Sequence, residues 1–275
     1  MSNESLASIV RVGALADLHF GRQGPDPVSA VEAAAAESDV VVICGDLTDH
    51  GAPEQARTLG RELSRRIRVP IVAVLGNHDF ESDQAGEVQK ILRDAGLMVL
   101  DGDACEVQGI AFAGTKGFCG GFGPHALGAW GEPIVKQFVQ EAVGEALKLE
   151  TALARIRTRA PIVLLHYAPI AATVRGEPEA IYPYLGSSRL AEPLGRYDVS
   201  AVFHGHAHHG ELTGTVAGGV PVFNVSLPLL QRVRPDRPFE IFPHRPPPNP
   251  DAPAARGTPG ADSERVPRES TSVPS

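Results

Sequence analysis

The stretch Val74-Leu75-Gly76-Asn77-His78-Asp79-Phe80, "VLGNHDF", decides how the rest of the sequence is read. The apolar run "PIVAVL" at 70–75 is followed, across one glycine, by an amide, an imidazole and a carboxylate in a row. A strand ending in a polar turn accounts for any one of these residues. The deciding question is whether other strands end in the same chemistry.

They do. Asp17-Leu18-His19 closes the apolar run at 9–16, Gly45-Asp46 the run at 39–44, His166 the run at 161–166, and His204-Gly205-His206 the run at 199–204. Singly, an aspartate after a strand is a turn former or helix cap, and a histidine near a core is a hydrogen-bonded structural residue. Jointly they mark a shared site, because ligands in open α/β sheets bind at the carboxyl ends of the strands. Gly76 then serves to turn the chain so that Asn77 and His78 face that site. The spacing of two in Asp17-x-His19 and His204-x-His206 fits one metal or two neighbouring ones. Imidazole, carboxylate and amide oxygen together suit first-row divalent ions such as Mn, Fe or Zn, with no thiolate required.

The framework under these residues reads as α/β. The runs at 9–16, 39–44 and 70–75 are apolar enough to be buried on both faces of one sheet. Between them, "PVSAVEAAAAES" and "PEQARTLGRELSRRI" read as crossover helices. The more closely spaced runs at 97–100, 110–114, 161–166, 199–204 and 220–225 predict a second sheet. The longest helical signal spans 132–159, with Val135, Phe138, Ala142, Ala146, Leu149, Leu153 and Ile156 on one stripe. From about residue 245 the chain is rich in proline, serine and charge, so the reading is a folded domain over 1–244 and a disordered tail over 245–275.

Composition narrows the function. With 275 residues, 43% of them hydrophobic, the chain is long enough for a full core. A formal charge of −8 argues against a sequence-independent nucleic-acid binder, which needs a basic footprint. The N-terminus "MSNESLASIV" lacks a basic region followed by an apolar one, and no run approaches a membrane span. Cys44, Cys105 and Cys119 show no C-x-x-C spacing, and the expected location is cytoplasmic, with Cys44 a small buried hydrophobe.

As an ordered set, "DLH", "GDLTD", "GNHD", an apolar strand closing on His166, and "GHAH" resemble the calcineurin-like metallophosphoesterase superfamily over about residues 10–225. The resemblance implies a four-layer αββα sandwich of two mixed β-sheets with a dinuclear metal site at the strand ends. It implies that Asp17, His19 and His206 hold one divalent metal ion, that Asn77, His166 and His204 hold the second, and that Asp46 bridges them. His78 would lie over the substrate phosphate as the catalytic acid, with Asp79 orienting it. The implied reaction is hydrolysis of a small phosphoester by a hydroxide bridging the two ions.

Departures from subfamilies shape the expectation further. Serine/threonine protein phosphatases carry Arg-Gly after the second block and Glu after "GNH", where this chain has "GDLTDHG" and "GNHD". Purple acid phosphatases place a tyrosine ligand where Asp49 stands. Asp49 itself reads equally as a partner behind the ligands or as a cap for the helix near Pro53, and His208 and His209 read as exposed loop residues. The segment 114–132 is a candidate lid or a glycine-rich surface loop: its Phe118, Phe122 and Trp130 offer stacking surface, Lys116 and His125 are candidate phosphate contacts, and Tyr167 a cleft-lining residue. Arg22 and Lys116 are the cations near the motifs, and with His78 available as a proton donor this balance favours diesters, including small or cyclic nucleotides. A phosphomonoesterase and a nuclease of the same superfamily are the alternatives. No membrane partner is expected.

Overall fold

The computed structural model describes residues 9–158, 160–216 and 218–245, so the expected disordered tail lies outside the described residues. The first half of the chain alternates strand and helix: β1 (Val10–Leu15), α1 (Val28–Glu37), β2 (Val40–Cys44), α2 (Pro53–Arg66), β3 (Ile71–Val74), α3 (Ala85–Asp94) and β4 (Met98–Leu100). Next come β5 (Asp103–Val107), β6 (Ile110–Gly114), the long α4 (Pro133–Arg155), β7 (Ile162–Leu164), β8 (Ala201–His204), β9 (Thr213–Thr215), β10 (Pro221–Asn224) and β11 (Glu240–His244). Two sheets result, ordered β11-β1-β2-β3-β4 and β5-β6-β7-β8-β10-β9. Each is mixed: β1 to β4 run parallel with β11 antiparallel at the edge, and β6, β7, β8 and β10 run parallel between antiparallel β5 and β9.

Strand β2 shows how the layers arise. All five residues of "VVVIC" are buried, because alternate side chains serve two different interfaces. Val40, Val42 and Cys44 face the second sheet, packing in one cluster with Val74, Phe112, Leu164 and Phe203. Val41 and Ile43 face the helices, in a cluster with Val31, Leu59, Leu63, Val88 and Leu92. On the far side, Val163 and Val202 of the second sheet pack against Leu149 and Leu153 of α4. The layers are therefore helix, sheet, sheet, helix, the αββα sandwich expected. Truncating a fully buried ring such as Phe112 to alanine removes about 3–5 kcal/mol from the inter-sheet layer.

Three local expectations are corrected. The run at 97–100 joins the first sheet, not the second: α3 makes a crossover that sets β4 parallel to β3, with Val72 opposite Met98. Helix α4 ends at Arg155, where Ile156 turns extended (φ −72°, ψ 133°), short of the expected residue 159. Phe118 is not lid surface, because its ring packs 5.0 Å from that of Phe138 in the α4 layer. The first part of the 114–132 segment is tied down likewise, with Gly120 N–H donating to the Pro183 carbonyl and Gly121 N–H to that of Gly186.

Candidate metal centre

The loops at the ends of β1, β2 and β8 leave their strands through backbone turns that non-glycine residues avoid. Asp17 (φ 58°), His19 (φ 43°), Asp46 (φ 48°) and His206 (φ 69°) all lie in the left-handed region. Each such residue costs on the order of 1–3 kcal/mol and persists only where surroundings hold it. Here the loops hold one another: Asp17 N–H donates to the Gly45 carbonyl at 3.0 Å and His19 N–H to that of Asp46 at 2.9 Å. Close approach demands glycine at two points. A side chain on Gly45 would overlap the His166 ring, and one on Gly76 would overlap the Asp46 carboxylate.

These turns gather two sets of ligand-type atoms. Asp17, His19 and His208 form one, and Asp46, His166 and His206 the other, each with its atoms within 4.8 Å of one another. Asn77 joins the second set, its Oδ1 lying 2.8 Å from His166 Nε2. Asp46 stands between the sets, with Oδ2 3.8 Å from His19 Nε2 and Oδ1 3.5 Å from His166 Nε2. His78 joins the two, its ring nitrogen grouping with His19 and Asp46 within the same 4.8 Å and its ring edge-on to that of His19 at 4.6 Å.

The histidines at and after the end of β8 depart from the expected assignment. His204, expected in the second set, is the last residue of β8 and is fully buried, with Nε2 2.8 Å from Thr173 Oγ1 and Nδ1 2.8 Å from the Gly205 carbonyl. His206 takes that place beside His166, their rings 4.8 Å apart, where it had been expected beside Asp17 and His19. His208, expected to be an exposed loop residue, is half-buried and puts Nε2 3.5 Å from Asp17 Oδ1. The left-handed turn at His206 redirects the chain after the strand, so the pair that reaches the site is His206-x-His208. The signal was in the sequence: the "GHAH" block runs from Gly205 to His208 and contains these two histidines, not His204.

Asp79 also has a different task from the one expected. Its fully buried carboxylate accepts N–H groups from Leu47 (3.1 Å), Thr48 (2.8 Å) and Gly76 (2.9 Å) and the Thr48 hydroxyl (2.7 Å). It braces the loops of Asp46 and Asn77 and makes no bond to His78. That histidine is oriented instead by Glu81, whose Oε1 lies 2.8 Å from Nδ1, together with the Asp49 carbonyl at 2.8 Å. Glu81 lies three residues beyond His78 and its Oε2 also meets His50 Nδ1 at 2.9 Å. The asparagine, histidine and aspartate of the motif drew attention away from it. Asp49 is the partner behind the ligands rather than a helix cap: it binds Arg22 Nη2 at 2.7 Å and lies 3.5 Å from His19 Nδ1, while α2 is capped by Ala52 without a side-chain bond. His125 is exposed in the 114–132 segment.

The donor set fits divalent cations. Burial, and next the neighbouring His206, hold the His166 imidazole well below its ordinary pKa, and its Nδ1 donates to the Cys44 carbonyl at 3.0 Å. Nε2 is then a lone pair facing another acceptor, Asn77 Oδ1, a contact that a cation between them resolves. Both ring nitrogens of His19 are buried without a hydrogen-bond partner, and burial brings its pKa down to about 4. Burial and the charges of Asp17 and Asp79 push the Asp46 carboxyl well above its usual range. Burial would raise Asp17 as well, but the hydrogen bond and charge of His208 hold it well below. Neutral imidazoles at His19, His166 and His206 around the buried Asp46 carboxyl are donor chemistry that suits a divalent cation.

Residues 10–210 match the family model of the calcineurin-like phosphoesterases. The chain belongs to this family and is a phosphoester hydrolase. Among solved structures it is similar to phosphopantetheinyl hydrolase from Mycobacterium tuberculosis, with a TM-score of 0.62 at 15% identity over 89% of this chain and 98% of that one. It also aligns with a putative 5′-nucleotidase from Staphylococcus aureus, with a TM-score of 0.48 at 15% identity over 79% of this chain and 48% of that one. At such identity the first likeness is one of fold. No curated protein matches the sequence at a significant level. Among the described residues no helix is long and apolar enough to cross a membrane.

Proposed function

We propose that the chain hydrolyses phosphodiesters with two divalent cations, one held by Asp17, His19 and His208, the other by Asn77, His166 and His206, with Asp46 shared between them. Manganese, iron and zinc suit this set of imidazole, carboxylate and amide donors. When bound, the cations supply Lewis-acid polarisation of the phosphoryl group and a water of lowered pKa. The chain's own contributions are distinct. His166 and His206 are kept neutral by burial and so available as ligands. Nδ1–H of His206 is free to be absent, because Nε2 is the atom that donates, to the Tyr184 carbonyl at 3.1 Å. His78, its Nδ1 occupied by Glu81 and the Asp49 carbonyl, has Nε2 left to carry a proton to the departing alkoxide.

The observation that carries the diester reading is the balance of cations against proton donors around the cluster. Arg22 is committed to Asp49 at 2.7 Å, and the Lys116 ammonium is surrounded by the rings of Phe80, Phe118 and Tyr167. A monoester dianion would therefore meet few side-chain cations, whereas a diester monoanion with a poor leaving group benefits from His78. The exposed rings of Phe80, Tyr184 and Trp130 offer stacking surface for a base, which supports small nucleotides, cyclic ones included, as substrates. Steady-state kinetics with Mn²⁺ test the reading: kcat/KM should be higher on bis-(p-nitrophenyl) phosphate than on p-nitrophenyl phosphate. A preference of about tenfold or more for the monoester, some 1.4 kcal/mol of transition-state binding, would make the enzyme a phosphomonoesterase.

A further inference from the structure

Lys116 stands just beyond the end of β6, and its carbonyl accepts the N–H groups of His166 (2.9 Å) and Tyr167 (3.1 Å), which fixes it beside the cluster. Its side chain is buried, with Nζ 4.8 Å from the ring centre of Phe118, 5.2 Å from that of Phe80 and 5.3 Å from that of Tyr167. Among the described residues the ammonium makes one hydrogen bond, to the Gly117 carbonyl at 2.9 Å, which leaves two of its three donors unused. Two nearby carboxylates are engaged elsewhere. Glu145 accepts from the Thr115 hydroxyl, from Gly117 N–H and from Lys148 Nζ, and Asp101 pairs with Lys148 at 3.0 Å. Ring faces offset part of the cost of burying an ammonium, but a charge this deep calls for an anion.

A cavity of about 120 Å³ adjoins it, lined by Leu75, Phe80, Leu100, Asp101 and Lys116 among others, at the carboxyl ends of β3, β4 and β6. Phe80 directly follows His78 and Asp79, and the Tyr167 ring touches both Lys116, at 5.3 Å, and His206, at 4.5 Å. Tyr167 thus links the residue that lines the cavity to a residue of the cluster. We propose that this cavity is a subsite for a second phosphate group, carried by the substrate away from the scissile phosphodiester, and that Lys116 is its specificity-determining residue. The inference rests on the phosphodiesterase reading above and adds to it a requirement on the substrate's remote end.

Two matched probes test it: the p-nitrophenyl ester of thymidine 5′-phosphate with a free 3′-hydroxyl, and the same ester bearing a 3′-phosphate. With Mn²⁺ the wild-type chain should favour the 3′-phosphorylated ester by about tenfold in kcat/KM, expressed in KM, the size of one charge-assisted contact. Lys116→Met should abolish that preference, lowering kcat/KM far more on the phosphorylated ester than on the other, and Lys116→Arg should retain most of it. Lys116→Gln, which also removes the charge, gives the same readout if the methionine variant misfolds. The proposal is overturned if the wild type does not distinguish the two esters, or if removing the charge lowers both equally. No turnover of either ester would overturn the phosphodiesterase reading itself, and the subsite with it.

Discussion

Asn77 Oδ1 and His166 Nε2 lie 2.8 Å apart, and with the single His166 N–H on the Cys44 carbonyl they face each other as two acceptors. Two acceptors at that distance repel unless a cation joins them. Asn77→Ala is therefore expected to weaken binding of one cation per chain while the other still binds. Losing a group one layer behind a metal typically costs about 10- to 100-fold in affinity, so removing a direct ligand should cost at least that. Calorimetric titration of Mn²⁺ into chelator-treated protein measures it. Two unchanged binding events in the variant would show that Asn77 is not a ligand.

Glu81 and His78 form the second testable relationship, at 2.8 Å. His78→Ala should lower kcat by about 10²- to 10⁴-fold with metal content near wild type, as for loss of a positioned acid. Glu81→Gln keeps the shape but removes the carboxylate 2.8 Å from the Nδ1 of the proposed acid, so its penalty should be larger on a substrate with an alkoxide leaving group than on one that releases p-nitrophenolate. Equal penalties on the two substrates, or loss of metal, would mean that Glu81 merely supports the loop.

Asp79 is expected to matter for stability first. Its carboxylate satisfies three backbone N–H groups and one hydroxyl in a fully buried position. Asp79→Ala leaves them without a partner at about 1–3 kcal/mol each, partly relieved by relaxation, so Tm should fall by roughly 10 °C. Thermal unfolding that stays within about 2 °C of wild type would contradict the bracing role.

Much of this was legible in the sequence because the physics involved is local. Val40 to Cys44 could only be a strand buried on both faces, and polar ligand types following such runs mark the carboxyl edge of a sheet. The rest depended on geometry that no run of residues displays. Whether His206 or His208 reaches Asp17 is decided by a left-handed φ of 69° at His206, a conformation uncommon for residues other than glycine. Asp79 and Glu81 are both carboxylates beside His78, and only the path of the short helical turn from His78 to Phe80 aims one at the Asp46 loop and the other at the imidazole. Strand β9, "TGT", is too short and too exposed to be told from a loop, and it becomes a strand by pairing with β10.

Metal content tests the central claim most directly. Asp46 stands between His19 and His166 with its carboxyl driven upward by burial and neighbouring charge, an arrangement stabilised by cations on both sides. Elemental analysis after reconstitution with Mn²⁺, Zn²⁺ or Fe²⁺ should find about two ions per chain, the stoichiometry of a two-metal phosphoryl-transfer site, and Asp46→Asn should lose both metal and activity. A reconstituted wild-type chain with no bound metal would contradict the account.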